Sequence, residues 1–204
     1  MTSERFVEPG EIAVSKFVLL DRDGVINRRI GGGYVTAWEE FVFLPRVLEA
    51  ICILTQHGFG AIVVSNQAGV GKALMTSSAL AEINRHFVKE VEAHGGRIVA
   101  VYCCEHRQED NCQCRKPKPG LLLQAQRDHA FDFAETLLIG DSESDLMAAH
   151  AVGCPALLIG DNTRRDGRNS SPSPLATFPG LYEAVRFVLA MKTVRRDWVQ
   201  AREV

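Results

Sequence analysis

The sequence predicts an α/β fold: a Rossmann-like, mostly parallel β-sheet with helices on both of its faces. Short apolar runs of strand length alternate along the chain with stretches in which apolar residues recur at helical spacing. The run GAIVVSN (60–66) is apolar until its last residues, which is typical of a strand buried on both faces. Three of the predicted strands end in polar residues, and such sheets bind ligands at that edge.

The predicted strands and helices alternate from one end of the chain to the other. The strands are FVLL (17–20), GAIVVSN (60–66), RIVAVYC (97–103), TLLIGD (136–141) and PALLIG (155–160). The helices are PRVLEAICILTQHG (45–58), the stretch from Leu80 to Val91, LLLQAQRDHA (121–130), DLMAAHAVG (145–153) and LYEAVRFVLAM (181–191). Pro45 suits the first turn of the first helix, and Gly58 suits its end.

A single domain is predicted for the whole chain, residues 1–204, with a core over about 15–160. Residues 161–180 are polar and rich in Pro, Gly and Ser, so they are predicted to be a loose connection. Residues 181–204 are predicted to form the C-terminal helix. The pattern contains no second domain that could act as a cap, and we expect a monomer.

Composition and charge exclude several classes of protein. With 46% hydrophobic and 24% charged residues, the chain has an ordinary globular composition. Its net charge of −2 gives no overall attraction to nucleic acid, and no stretch approaches the ~20 apolar residues of a membrane span. The N-terminus, MTSERFVEPGEIAVSK, lacks the basic and then apolar order of a signal peptide. We therefore expect a cytoplasmic protein with reduced thiols and with neither nucleic-acid nor membrane partners.

Two carboxylates follow the first predicted strand. In LLDRDGVIN, Asp21 and Asp23 are two residues apart, so their side chains point the same way in an extended backbone. One carboxylate can attack an electrophile while the other manages protons, provided that a cation relieves their mutual repulsion. Gly24 allows a tight turn after the pair. The plainer alternative is a strand that ends in a capping or turn aspartate.

Further segments supply groups that can bind an anion or a cation. The segment VVSNQAG offers three polar side chains after the second strand: Ser65, Asn66 and Gln67. In CRKPKPG, Arg115 and Lys116 can hold phosphoryl oxygens. In LLIGDSESD, Asp141 can join Asp21 around Mg²⁺. Each segment alone has a plain alternative, namely a polar turn, a solvated basic turn or a helix cap. The segment GVGKA (69–73) lacks residues that a phosphate-binding P-loop requires, so a P-loop is rejected.

Four cysteines and a histidine fall within CCEHRQEDNCQC (103–114). In a reducing compartment such a cluster predicts metal ligands before disulfides. Cys104, His106, Cys112 and Cys114 make a closed tetrahedral set of three thiolates and one imidazole for a structural Zn²⁺. Cys103 is expected to belong to the strand. Buried free thiols are the alternative, and the polar surroundings of Cys112 and Cys114 argue against them. A zinc-stabilised nucleic-acid module is disfavoured because the chain is nearly neutral and has few aromatic residues.

The ordered set of motifs resembles the haloacid dehalogenase (HAD) superfamily of phosphohydrolases. DxD, a Ser after the next strand, a Lys and GDxxxD occur in that order between the first and the fifth predicted strands. The resemblance implies that Asp21 is the nucleophile that forms an aspartyl-phosphate and that Asp23 is the general acid/base. It implies that Ser65 and Lys116 hold the transferring phosphoryl group. It also implies that Asp21, the backbone carbonyl of Asp23, and Asp141 bind Mg²⁺.

The CxH…CxC set directly before RKP is similar to a zinc-containing, capless subgroup of that superfamily. This subgroup includes D-glycero-D-manno-heptose-1,7-bisphosphate 7-phosphatases and the phosphatase domain of histidinol-phosphate phosphatases. INRRIGGGYV and RKPKPG look more like the heptose enzymes, which implies that Tyr34 lies in the substrate loop and that Arg115 aids recognition. Arg29 is a further candidate for the second phosphate of a bisphosphate. The short spacing within the Cys/His set and the presence of Ser142 keep histidinol phosphate, or another small sugar phosphate, as the alternative substrate.

Overall fold

The structure is a computed structural model that describes residue 14, residues 16–160 and residues 172–200, with side chains as far as residue 191. Its strands are β1 (Lys16–Leu20), β2 (Phe59–Asn66), β3 (Ile98–Cys104), β4 (Leu137–Gly140), β5 (Ala156–Ile159) and β6 (Ala176–Phe178). Its helices are α1 (Val47–Gln56), α2 (Ser77–Ala93), α3 (Gly120–His129), α4 (Glu143–His150) and α5 (Leu181–Gln200). Short 3₁₀ turns occupy Trp38–Glu40 and Phe133–Glu135.

The six strands form one sheet in the order β3-β2-β1-β4-β5-β6, and every neighbouring pair is parallel. The chain moves outward from β1 through β2 to β3, and then returns to the other side of β1 to add β4, β5 and β6. This reversal places a topological switch point beside β1, where a crevice opens at the carboxyl ends of the strands. The predicted Rossmann-like α/β fold is confirmed.

The sheet is buried on both faces because helices cover both of them. Successive residues of a strand point to opposite faces, so each strand contributes to both clusters. In β1, Val18 and Leu20 pack into one hydrophobic cluster, while Leu19 packs into another on the opposite face. Helices α1, α2 and α5 contribute to the first cluster, and α3 and α4 contribute to the second. All three of these strand residues are fully buried, which explains why β1 carries a continuous apolar run and no alternation.

The prediction of a loose connection over residues 161–180 is wrong for its last residues, which contain a strand. Ala176–Phe178 forms β6, which extends the sheet beyond β5. The Phe178 ring packs against Phe187 of α5, with the ring centroids 5.1 Å apart. A strand of this length has too few residues to show a period, and the Pro- and Ser-rich sequence before it predicts a loop. Residues 161–171 lie outside the described residues.

The helix boundaries differ slightly from the prediction. Helix α1 begins at Val47, two residues after the predicted start at Pro45, because Arg46 adopts a left-handed backbone conformation with φ of 60°. The predicted C-terminal helix is present as Leu181–Gln200, and residues 201–204 lie outside the described residues. Within the described ranges, no helix is both long and apolar enough to cross a membrane.

Candidate active site

The predicted site residues meet at one edge of the sheet. Asp21 directly follows β1, Ser65 lies at the end of β2, and Asp141 directly follows β4. Because β1 pairs in parallel with both β2 and β4, the carboxyl ends of the three strands lie side by side. Asp21 and Ser65 line a pocket of about 490 Å³ together with Asp23 and Lys116, and Asp141 accepts a hydrogen bond from Arg29 on the wall of that pocket. The local motifs of the sequence therefore converge on a single cavity.

Lys116 is buried at the base of this pocket, with 3% of its surface exposed. Its ammonium group lies 3.0 Å from Asp21 Oδ1, and it donates hydrogen bonds to Asp145 Oδ1 at 2.5 Å and to the carbonyl of Val64 at 2.8 Å. Burial alone would lower the pKa of Lys116, but Asp145 and Asp21 together raise it above its usual value. The lysine is therefore a fixed positive charge beside Asp21.

Asp145 has a structural role that the sequence analysis did not assign. Its Oδ1 accepts from Lys116, and its Oδ2 accepts from the backbone N–H of Ser142 at 3.1 Å and from the Ser142 hydroxyl at 2.5 Å. Both carboxylate oxygens of this fully buried residue are thus engaged. Asp145 caps the first turn of α4 and fixes Lys116 at the same time. Asp145 is the second Asp of the GDxxxD motif, and this position in the motif could have indicated its role from sequence.

The carboxylate of Asp23 is held by three side chains. Asn27 donates to its Oδ1 at 2.8 Å, Gln67 donates to its Oδ2 at 2.5 Å, and the Arg22 guanidinium lies 3.2 Å from both oxygens. Gln67 also donates to the hydroxyl of Ser65 at 3.0 Å and accepts from Arg22. Gln67 is fully buried and orients Asp23 from behind, and its contact with a substrate stays a prediction.

Asn66 fixes the backbone that carries Lys116. Its side-chain amide donates to the Lys116 carbonyl at 3.0 Å and accepts from the Lys116 backbone N–H at 3.1 Å. Asn66 also lines the pocket, so it can position Lys116 and still face a bound molecule. Ser65, beside it, is only 1% exposed and borders the same pocket.

Asp141 lies against the turn that follows Asp23. Gly24 has a φ of 97°, and a Cβ atom built on it would lie 1.9 Å from Asp141 Oδ2. No side chain fits there, so Gly24 is required both for its backbone conformation and for the approach of Asp141. Burial raises the pKa of Asp141 to about 7, while the nearby Arg29 guanidinium acts to lower it.

A cluster of carboxylates at this point could hold a cation. Oxygens of Asp21, Asp141 and Asp145 lie within 4.8 Å of one another. Arg29 Nη2 donates to Asp141 Oδ1 at 2.7 Å and to the carbonyl of Asp23 at 3.4 Å, so a positive group already lies among these oxygens. Arg29 also lines the pocket, and its contact with the substrate stays a prediction beside these contacts with the acidic cluster.

The predicted Cys/His set also comes together. The sulfur atoms of Cys104, Cys112 and Cys114 are 3.3–3.5 Å apart, and His106 Nδ1 lies 3.3 Å from Cys114 Sγ and 3.6 Å from Cys104 Sγ. These separations are far longer than a disulfide bond of about 2.05 Å, and they approach the ~3.8 Å expected between sulfurs on one tetrahedral zinc ion. The set could therefore hold a metal ion. Cys103 belongs to β3, as predicted.

Three residues on the walls of the pocket are suited to a substrate. Tyr34 and Arg115, whose contacts with a substrate stay predictions, line it, and Arg115 also approaches the carbonyl of His106 at 3.5 Å. Lys72 lines it as well, with its ammonium group 5.3 Å from the centre of the Tyr34 ring. Lys72 was not predicted as a site residue because GVGKA was considered only as a P-loop.

The loop that carries Lys72 is attached to the loop that carries the metal-ligand set. The N–H of Gly71 donates to the carbonyl of Glu105 at 2.9 Å, and a Cβ atom on Gly71 would lie 2.6 Å from that oxygen. The N–H of Gln67 donates to the carbonyl of Cys104 at 2.7 Å. The two loops therefore form one wall of the site.

Comparisons with known proteins agree with this geometry. A family model described as HAD-hydrolase-like matches residues 113–184. The D-glycero-beta-D-manno-heptose-1,7-bisphosphate 7-phosphatase of Neisseria meningitidis serogroup B is 34% identical over 182 residues, which cover 87% of this chain and 97% of that protein. The D-glycero-alpha-D-manno-heptose-1,7-bisphosphate 7-phosphatase of Mycobacterium bovis is 37% identical over 172 residues, which cover 81% and 87%.

A solved structure gives the same result. The D,D-heptose 1,7-bisphosphate phosphatase from B. bronchiseptica, complexed with magnesium and phosphate, superposes with a TM-score of 0.81 at 30% identity and covers 86% of this chain and 99% of that one. The resemblance predicted from the motifs is thus confirmed over nearly the full length of these relatives. The chain belongs to the family of D-glycero-D-manno-heptose-1,7-bisphosphate 7-phosphatases, within the HAD hydrolases.

Proposed function

We propose that this enzyme removes the 7-phosphate of a D-glycero-D-manno-heptose 1,7-bisphosphate through an aspartyl-phosphate intermediate. The observation that carries the proposal is the buried ion pair between Lys116 and Asp21 at the base of the pocket. Oδ1 of Asp21 already accepts from the backbone N–H of Arg22 at 2.7 Å and lies 3.0 Å from Lys116. The other oxygen, Oδ2, is therefore the one available for attack.

The reaction has two displacements at phosphorus. Oδ2 of Asp21 attacks the phosphorus, the bond from phosphorus to the sugar oxygen breaks, and Asp23 gives its proton to that oxygen. A water molecule then attacks the phosphorus, and Asp23 takes a proton from that water. The bond from phosphorus to Asp21 Oδ2 breaks, which releases phosphate and restores the carboxylate of Asp21. Lys116 and Ser65 stabilise the phosphoryl oxygens, and Arg22, Asn27 and Gln67 orient Asp23 throughout.

We propose a magnesium ion at the acidic cluster. Asp21, Asp141 and the backbone carbonyl of Asp23 would hold it, because hard oxygen ligands at a carboxylate cluster suit Mg²⁺. When bound, it neutralises the charge that develops on the phosphoryl oxygens. Asp145 is left out of this set because it is fully buried and does not line the pocket, and Lys116 and Ser142 hold its two oxygens.

We propose that the Cys/His set binds a structural zinc ion. Its three thiols and one imidazole fill all four tetrahedral positions and leave none for a substrate. Burial raises the pKa of Cys104 to about 12, so this thiol needs a metal ion to lose its proton at neutral pH. Arg115 and Lys116 directly follow Cys114, and the ion would therefore fix both of them.

We further propose a heptose bisphosphate, because two cations lie on the walls beyond the phosphoryl site. Lys72 and Arg115 line the same pocket as Asp21 and can donate hydrogen bonds to the oxygens of the second phosphate. Tyr34, which lies beside Lys72, offers a ring and a hydroxyl to the sugar. We also propose a single-domain, monomeric enzyme of the cytoplasm, because one sheet carries the described strands and reduced thiols are required for zinc.

Asp21→Asn tests the nucleophile. The amide cannot form the acyl phosphate, so kcat for phosphate release should fall at least about 10³-fold, with the fold retained by circular dichroism. Asp128→Asn is the control, since Asp128 is an exposed carboxylate that bonds to Tyr102 outside the pocket. Turnover retained by Asp21→Asn would contradict the mechanism.

The substrate is tested by phosphate release from D-glycero-D-manno-heptose 1,7-bisphosphate beside histidinol phosphate, with Mg²⁺ supplied. Relatives are named for both the alpha and the beta form of the heptose, so both anomers are compared. We expect kcat/KM to be highest for one heptose anomer. A higher kcat/KM for histidinol phosphate would reject the heptose bisphosphate as the substrate, while the proposed phosphatase reaction would stand.

Lys72→Ala tests the site for the second phosphate. Losing this charge should raise KM for the heptose bisphosphate about fivefold while leaving the heptose 7-phosphate nearly unchanged. Lys89→Ala, an exposed lysine of α2, is the matched control. An equal effect of Lys72→Ala on both substrates would show that Lys72 does not bind the second phosphate.

Cys112→Ser tests the structural metal. The variant should lose its zinc, measured by atomic absorption, and its kcat/KM should fall about tenfold or more because Lys116 is no longer held. Cys52→Ser, at a half-buried cysteine of α1, should keep both zinc and activity. Full activity in a zinc-free Cys112→Ser protein would contradict the coupling between zinc and the site.

A further inference from the structure

Arg29 makes its contacts with two of the groups that are proposed to bind magnesium. It lies on the loop between β1 and α1, and its Nη2 is 2.7 Å from Asp141 Oδ1 and 3.4 Å from the carbonyl oxygen of Asp23. A guanidinium nitrogen and a divalent cation both require the near side of these oxygens. The two cannot be present together in the same geometry.

The charges of the cluster explain why a cation is needed at this position. Carboxylates as close as Asp21, Asp141 and Asp145 repel one another unless positive charge lies between them. Lys116 pairs with Asp21 and Asp145. In the described part of the chain, the ion pair found for Asp141 is the one with Arg29. Arg29 therefore supplies the charge that Lys116 does not.

The two cations differ in their freedom to leave. The side chain of Lys116 is 1% exposed and is hydrogen-bonded on several sides, whereas the side chain of Arg29 is 53% exposed. An exposed ion pair contributes little net free energy, because water and mobile ions compensate for its loss. The pair between Arg29 and Asp141 can therefore be exchanged for another cation at small cost.

We propose that Arg29 is a resident counter-ion of the metal site and competes with Mg²⁺ for Asp141 and the Asp23 carbonyl. When Mg²⁺ binds, the guanidinium leaves these oxygens and remains on the wall of the pocket, where a phosphate oxygen can accept its hydrogen bonds. When Mg²⁺ is absent, Arg29 thereby holds Asp141 in place. Its competition also lowers the apparent affinity of the protein for Mg²⁺. This inference rests on the magnesium site of the proposed function.

Isothermal titration with MgCl₂ tests the competition directly. The full chain is first dialysed free of Mg²⁺, and its zinc content is checked. Arg29→Ala removes the competitor, so the apparent Kd for Mg²⁺ should fall roughly two- to fivefold. Arg28→Ala is the matched control, because it removes the same charge from the neighbouring exposed residue, and it should change Kd less.

Thermal unfolding provides a second readout that does not depend on activity. Without Mg²⁺, Arg29→Ala should have a slightly lower Tm than the wild type, because the repulsion between Asp141 and Asp21 is then less offset. In saturating MgCl₂ the difference should vanish, since the bound ion then supplies the charge. A purely structural role for Arg29 would lower the Tm equally under both conditions and would overturn the inference.

The titration also separates this inference from the proposed function. If Mg²⁺ binds and Arg29→Ala has a Kd equal to or higher than that of Arg28→Ala, the competition is rejected and the magnesium site stands. If Mg²⁺ binds to neither the wild type nor either variant, the magnesium site is rejected together with the role of Arg29.

Discussion

The ammonium group of Lys116 joins three parts of the fold at one point. It contacts Asp21 after β1, the carbonyl of Val64 in β2, and Asp145 in the first turn of α4. Moving such ions out of water costs several kcal/mol each, and the cost is offset only when every charge is paired. Removing any one of the three ionic groups would leave a buried charge without compensation. The rim of the sheet is therefore held together by the same charges that can act on a phosphate.

The position of Lys116 is in turn set from two sides. Asn66, the last residue of β2, bonds to both backbone polar groups of Lys116. Cys114, two residues earlier in the chain, belongs to the Cys/His set. A lysine on a loop between β3 and α3 would otherwise lose much side-chain and backbone entropy on becoming ordered. Attachment at both ends reduces that cost at the site, and this supports the view that the proposed zinc is structural.

Most of the fold and much of the site could be predicted from sequence because the signals are local. The apolar run of β1, the adjacent Asp21 and Asp23, and the close spacing of the cysteines can be recognised without knowledge of neighbours. The three-residue β6 was missed because its strand character comes from pairing with β5. The role of Gln67 in orienting Asp23 could not be predicted, because it depends on Arg22 and Asp23, which are distant in sequence.

Arg29 and Lys72 show the same limit for charged residues. Nothing in the adjacent sequence indicates whether an exposed cation faces a carboxylate, an aromatic ring or solvent, because a long flexible side chain has many possible partners. The contacts of Arg29 with Asp141 and of Lys72 with the Tyr34 ring depend on how the loops fold back over the sheet edge. The roles of such residues can therefore be assigned only from the folded structure of the loops.

The attachment of Gly71 to Glu105 has a consequence for local stability. Two backbone bonds join these loops, from Gly71 N–H to Glu105 O and from Gln67 N–H to Cys104 O, so the segment carrying Lys72 must break them to open. Local unfolding proceeds in cooperative units, and these bonds favour one unit that contains the loop before α2 and the loop after β3. Amide protons on both loops should therefore exchange with solvent with a common opening free energy.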